Sequence, residues 1–449
     1  MKRLTVFALV LLAVTPLLGA ATIHNDDSCD VATLPAATLL LPYFEVDLDD
    51  INGETTLFTI TNVTNLDRIA RVTLWTDYAY PVIAFNIYLT GYDVQAISLF
   101  DVIQRGIIAP PSGTGTAVTK RGLFSDPNVD IDLTGCGRLP GTLDPAYVTR
   151  MRAAFTLGRV PALGTANPAC ETAGGQHDNA VGYATIDVVR TCSAHLPTDP
   201  RYWTEDIAFD NVLMGDYQQV NSAQNFAQSN PLVHIRAVPE GGSPAQRRLR
   251  PQDFDAGFPR TFYARYQAAG TPGLDGRQPL PSTFAARWIQ GSASAFQTAY
   301  KIWREGRTNG RSCANADSEA TLPFVEIVRF DEAENAVTYV PFRGDPPIEI
   351  IHALPPASMT GVDDNYIYPQ LTNGAVAGWM YLNLEKCGLA CGDPAPASQN
   401  WVVTSMRAQG RFSTDMDATP LGNGCSPRTR PSEVSTGNVV IGPAANVNP

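Results

Sequence analysis

The sequence predicts a mainly β protein, organised as tandem antiparallel β-sandwich domains with a few short helices. Short runs of β-branched and aromatic residues recur at regular spacing, and side chains within them alternate with period two. The chain has 449 residues, and single hydrophobic cores stop growing near ~250–300 residues. Two domains follow from those facts together.

The clearest strand signals lie between Thr38 and Leu99. The runs Leu39–Val46, Thr55–Asn62, Ala70–Thr76, Val82–Leu89 and Val94–Leu99 are separated by polar turns. Phe58, Ile60 and Asn62 alternate with Leu57, Thr59 and Thr61, which gives the strand two distinguishable faces. Asn52-Gly53, between the first two runs, is a turn pair of the kind that closes hairpins. Five strands with short links resemble immunoglobulin-like domains in pattern. The resemblance does not extend to residues, because the antibody-type Cys–Trp–Cys arrangement is absent.

Ile107 to Pro140 is rich in Gly, Pro, Ser and Thr and reads as a long irregular excursion. A helix follows. Asp144 is its N-cap, Pro145 suits the first helical position, Val148, Met151 and Phe155 share one face, and Gly158 ends it. Strand character returns at Gly182–Cys192 and Pro231–Val238.

The expected organisation is a signal peptide over 1–21, an N-terminal β-sandwich domain over 22–238 with long insertions and one helix, and a linker over 239–251. A C-terminal β-rich domain over 252–425 and a flexible tail over 426–449 complete it. Strand runs in the second half are Arg260–Tyr266, Phe284–Gln290, Thr298–Arg304, Pro323–Phe330, Ile348–His352, Trp379–Leu384 and Trp401–Arg407. Phe58 and Trp75, like Phe284 and Trp303, span a strand, a polar turn and a strand, as a diverged duplication would leave them.

The N-terminus predicts export. Lys2 and Arg3 precede the apolar stretch Leu4–Leu18, and Gly19-Ala20-Ala21 supplies the small residues of a cleavage site, preferably after Ala21. That stretch is shorter than the ~20 apolar residues of a membrane span, and no later segment reaches that length. All eight cysteines lie beyond the signal, four in each half of the chain. An even count in an oxidising compartment favours disulfides. Removing Lys2 and Arg3 from 32 basic against 44 acidic side chains leaves a net charge of −14, which argues against nucleic acid as a partner. The basic cluster Arg247, Arg248 and Arg250 in the linker reads as solvated surface sooner than as an anion site.

No nucleophile elbow, Ser-x-x-Lys set or His-Glu-x-x-His motif is present. None of the five histidines (His24, His177, His195, His234, His352) lies within four residues of another. His177 beside Asp178, and His195 near Cys192, are available for acid–base roles only if the fold brings carboxylates to them. Asp126, Asn128, Asp130 and Asp132 place oxygen side chains at every second position, a spacing that can converge on calcium, the one cofactor the sequence raises. Ile131 and Gly137 stand where an EF-hand-like loop needs glycine and glutamate, and in a strand Asp130 and Asp132 would simply meet solvent. Asp363-Asp364-Asn365 is a weaker rival.

Cys387 and Cys391 have neither thioredoxin spacing nor a zinc quartet, so structural disulfides are expected there. Trp75, Tyr202 and Trp203, with Tyr78, Tyr80, Tyr366 and Tyr368, would form a sugar platform if exposed and core packing if not.

The expected function is an exported noncatalytic binding or scaffold protein of the cell envelope or extracellular space, its partner a surface glycan or protein. The alternative is a secreted hydrolase acting on glycans through paired carboxylates, for which Asp187, Glu205, Asp206 and Glu326 are available. The cysteine reading is directly testable by alkylation and intact mass. All eight cysteines are expected to resist alkylation in the mature oxidised protein and to react after reduction; eight reactive thiols in the native protein would contradict export into an oxidising compartment.

Overall fold

The structure is a computed structural model that describes residues 31–108, 123–125, 143–163, 169–193, 195–197, 199–237, 262–263, 275–289, 296–304, 326–339, 350–353, 376–384, 399–408 and 412–421. The signal segment, the linker 239–251 and the tail from 426 fall outside these residues. Among the described residues no helix is long and apolar enough to cross a membrane.

The described chain is mainly β. In the first half the strands are β1 (Thr38–Val46), β2 (Glu54–Asn62), β3 (Arg68–Thr76), β4 (Pro81–Leu89), β5 (Val94–Ser98), β6 (Leu123–Ser125), β7 (Ala180–Val189), β8 (Leu213–Met214), β9 (Asp216–Asn221), β10 (Phe226–Pro231) and β11 (Val233–Ile235). In the second half they are β12 (Thr283–Ile289), β13 (Phe296–Arg304), β14 (Glu326–Asp331), β15 (Ala336–Tyr339), β16 (Ile350–Ala353), β17 (Ala377–Asn383), β18 (Asn400–Ala408), β19 (Phe412–Asp417) and β20 (Thr419–Pro420).

They form four antiparallel sheets. The first runs β11-β1-β7-β3-β4-β6 and the second β10-β9-β2-β5, with β8 also on β2. The third runs β15-β14-β17-β12-β20 and the fourth β16-β13-β18-β19.

Asn52-Gly53 does not close a hairpin. β1 joins the first sheet and β2 the second, so the turn carries the chain between sheets. Its tightness comes from Asp47, whose Oδ1 accepts from the backbone N–H groups of Asp49 at 2.9 Å and Asp50 at 3.0 Å. A Cβ at Gly53 would lie 2.3 Å from Asp47 Oδ2, so this site needs glycine. Pro42 lies within the register shift between Leu41 and Phe44 of β1, where a residue without an N–H is tolerated.

Every residue of β7 is buried, and alternation sends its side chains into two cores. Ala184, Ile186 and Val188 join Leu39 and Leu41 of β1, Val72 and Leu74 of β3, and Phe58 and Ile60 of the second sheet. Val181 and Tyr183 face the other way with Leu40, Tyr43 and Trp75, in a core that also holds Phe284, Trp288, Ile302, Trp303, Leu382 and Trp401 of the second half. The two halves thus share a core. Trp75 stacks on Tyr183 (centroids 5.9 Å apart, 5° between planes), and Tyr183 meets Trp303 edge-on at 6.0 Å.

The helix α1 (Pro145–Leu157) forms where expected. Asp144 caps it by accepting from the Ala146 N–H at 2.8 Å, and Gly158 ends it at φ 63°. Val148, Met151 and Phe155 enter the first core. Phe155 lies edge-on to Phe44 at 5.3 Å.

The β9–β10 hairpin buries Gln219, Asn221, Gln228 and Asn230. Gln228 Nε2 donates to Gln219 Oε1, and both glutamines reach the second half. Lys301 Nζ donates to Gln219 Oε1 at 2.7 Å, and Ser405 Oγ donates to Gln228 Oε1 at 3.1 Å. Both buried amide oxygens thereby accept hydrogen bonds from groups of the second half.

Candidate functional site

The chemically richest region is the face of the first sheet turned toward the second half. Period two places Arg71, Thr73 and Trp75 of β3 on this face, and Tyr183, Thr185 and Asp187 of β7 beside them. Arg71 and Asp187 are register partners, yet each carries its own set of hydrogen bonds.

Arg71 is fully buried and all of its guanidinium nitrogens are engaged. Nε donates to Asn86 Oδ1 at 3.0 Å; Nη1 donates to the His195 carbonyl at 2.7 Å and to Asp206 Oδ2 at 3.0 Å. Nη2 donates to the Ser193 carbonyl at 2.9 Å and to Ser193 Oγ at 2.7 Å. Asp206 Oδ1 accepts from Thr191 Oγ1 at 2.9 Å, and Oδ2 also accepts from Ser193 Oγ. His195 Nδ1 lies 3.1 Å from that same Oδ2. The π-helical turn Tyr202–Asp206 directs Tyr202, Trp203 and Asp206 inward and leaves Glu205 exposed.

Asp187 is equally saturated. Thr38 Oγ1 donates to Oδ1 at 2.6 Å, while the hydroxyls of Tyr202 and Tyr263 donate to Oδ2 at 2.6 and 2.8 Å. Arg277, also fully buried, approaches Oδ1 at 3.8 Å and Asp275 at 3.4 Å. Its Nε donates to Thr38 Oγ1 and its Nη2 to the Ala208 carbonyl at 3.3 Å. Burial, and then the Asp187 charge, push the Tyr202 and Tyr263 hydroxyls well above the ordinary tyrosine range. Burial opposes the charge on Arg277, but nearby groups, Asp187 foremost, outweigh it and raise its pKa. Arg277, Asp275 and Tyr263 come from the second half, so this network joins both halves.

A second polar group lies at the other end of the same strands. Asp77, at the end of β3, accepts from the Gly175 N–H at 3.0 Å and lies 2.8 Å from His177 Nε2. Burial works against protonation of His177, but its hydrogen bond to Asp77 and the charges of Asp77, Glu45 and Asp178 raise its pKa overall. Glu45 accepts from Tyr43 Oη at 2.5 Å and from Asn179 Nδ2 at 2.7 Å. Burial and Glu45 raise Tyr43 well above its usual value.

The residues singled out in the sequence have diverse fates. Asp187 and Asp206 are buried within ion-pair networks, Glu205 is exposed, and Glu326 starts β14. Trp75, Tyr202 and Trp203 are buried, so they form core packing and not a sugar platform; Tyr78 and Tyr80 are half-buried. His234 is buried, and burial lowers its pKa.

Asp126, Asn128, Asp130 and Asp132 lie outside the described residues, as do Asp363-Asp364-Asn365, Tyr366, Tyr368, the Arg247–Arg250 cluster, Cys387 and Cys391. Of the eight cysteines, Cys170 and Cys192 are described, and neither is a free thiol.

Arg71, Arg277, Asp275, Ser193 and Asp77 were not identified from sequence. For Arg71 a signal existed: it is a charge on one face of a strand whose opposite face is Ala70, Val72 and Leu74. The chain matches no known family profile, no curated protein and no solved structure.

Replacing Asp187 with Ala should destabilise the protein by about 3–5 kcal/mol, because the Thr38 hydroxyl and two phenols lose their buried acceptor and Arg277 loses a nearby opposite charge. Urea denaturation followed by tryptophan fluorescence measures this. A loss below about 1 kcal/mol would show that the network contributes little to stability.

Proposed function

We propose that this is an exported, noncatalytic binding or scaffold protein of the cell envelope or extracellular space, built as two β-sandwiches that share a core. The commitment of Asp187 and Asp206 supports this reading most. A glycosidase needs one carboxyl group to give a proton and a second to act as base or nucleophile at a cleft. Here two of the four candidate carboxylates, Asp187 and Asp206, are buried and hold arginines and hydroxyls. Asp187 is committed to joining the halves and Asp206 to pairing with Arg71.

The sandwich reading is supported by one core that contains both β1, β3 and β7 of the first sheet and β2, β5 and β9 of the second. Export is supported by Lys2-Arg3 ahead of an apolar stretch and Gly19-Ala20-Ala21, and by the even cysteine count. Burial of Trp75, Tyr202 and Trp203 removes three rings that a glycan platform would use, which favours a protein partner or an assembly over a free sugar.

The test incubates the mature oxidised protein with insoluble envelope polysaccharides and envelope protein fractions. It reads co-sedimentation and self-association beside the release of reducing ends. Association without release is expected. Release of reducing ends that one carboxylate-to-amide substitution abolishes would replace this reading with the glycan hydrolase.

A further inference from the structure

His195, Glu205 and Asp206 each offer one ligand-type atom, and these atoms lie within 4.8 Å of one another. We propose that the three side chains form a divalent-cation site with the donor set of zinc, at the mouth of the buried Arg71 network.

The donor chemistry is one imidazole and two carboxylates, a set that zinc takes with bonds of about 2.0–2.2 Å. Two such bonds at a tetrahedral angle put their donor atoms roughly 3.3 Å apart. His195 Nδ1 and Asp206 Oδ2 stand 3.1 Å apart, so an ion can replace the proton between them with little movement. Three protein ligands leave a fourth position for water or for a side chain of a bound partner.

The rigidity of Asp206 favours this assignment. Its Oδ1 accepts from Thr191 Oγ1 at 2.9 Å, and its Oδ2 from Arg71 Nη1 at 3.0 Å and from Ser193 Oγ. Such outer hydrogen bonds orient ligating carboxylates and tune their affinity. Access is graded, with Asp206 at 1% side-chain exposure, His195 at 19%, and Glu205 exposed. An ion would therefore enter from solvent and seat against a fixed base. Glu205 and Asp206 are consecutive in a π-helical turn, an element that recurs at functional sites.

Charge sets the strength. Arg71 offsets the Asp206 charge and Arg201 interacts with that of Glu205, which predicts modest affinity. Calcium and magnesium prefer all-oxygen shells, so the imidazole selects for zinc and its neighbours in the transition series.

The test is isothermal titration of the metal-free, mature, oxidised protein with zinc chloride, with calcium chloride as the comparison. One saturable zinc site is expected, with no equivalent for calcium. His195→Ala should abolish it and Glu205→Gln should weaken it by about tenfold or more. His177→Ala should leave it intact. Circular dichroism shows whether each variant is folded, and Glu205 is exposed while His195 is half-buried. Absence of zinc binding by the wild-type protein, or binding unchanged in His195→Ala, would overturn the proposal.

Discussion

Two arginines buried without access to water set the terms for the rest of this molecule. Arg71 and Arg277 lie on the face of the first sheet that meets the second half, and each requires carboxylates and carbonyls at hydrogen-bond distance. An unpaired charge in such a place costs several kcal/mol, far more than a surface charge. The chain must therefore bring Asp206, Asp187, Asp275, Thr38 and the carbonyls around Cys192 to one region. β1, β3, β7, the turn after β7 and the first described segments of the second half all converge to do so.

Packing and polarity act together at the junction between the halves. Apolar and aromatic contacts, with Tyr183 between Trp75 and Trp303, supply non-directional attraction. The glutamines of β9 and β10, with Lys301 and Ser405, add directional bonds that hold only in one register. Lys301 also sits 4.2 Å from the centroid of the Tyr43 ring, which places its charge on an aromatic face. Sliding one half against the other would leave buried amides and charges without partners, so the junction is specific as well as adhesive.

The strands were legible where hydrophobic alternation was strong. β1 through β5, β7 and most second-half strands fall within a few residues of the sequence reading, and α1 matches its caps. The β9–β10 hairpin was hard to read because four of its six inward residues, Gln219, Asn221, Gln228 and Asn230, are polar, and Tyr217 and Phe226 alone are apolar there. Strand partners were not legible either. Asn52-Gly53 looked like a hairpin turn, but whether two strands share a sheet depends on long-range partners such as β7 and β9 that no local pattern encodes. The site was half visible: Asp187, Glu205, Asp206 and His195 were available as titratable residues, but nothing in the sequence set them apart. Their roles depend on Arg71 and Arg277, far away in sequence, and burial changed candidate acid–base groups into ion-pair partners.

The halves share one core and are joined by a buried ion-pair network, so they should unfold together. Native-state hydrogen exchange, read by mass spectrometry across a series of low urea concentrations, tests it most directly. Amides of β7 and of β13 and β18 are expected to converge on one opening free energy and one urea dependence. Exchange of β13 and β18 through a separate, lower-energy opening, with β7 still protected, would show two independent domains and contradict it.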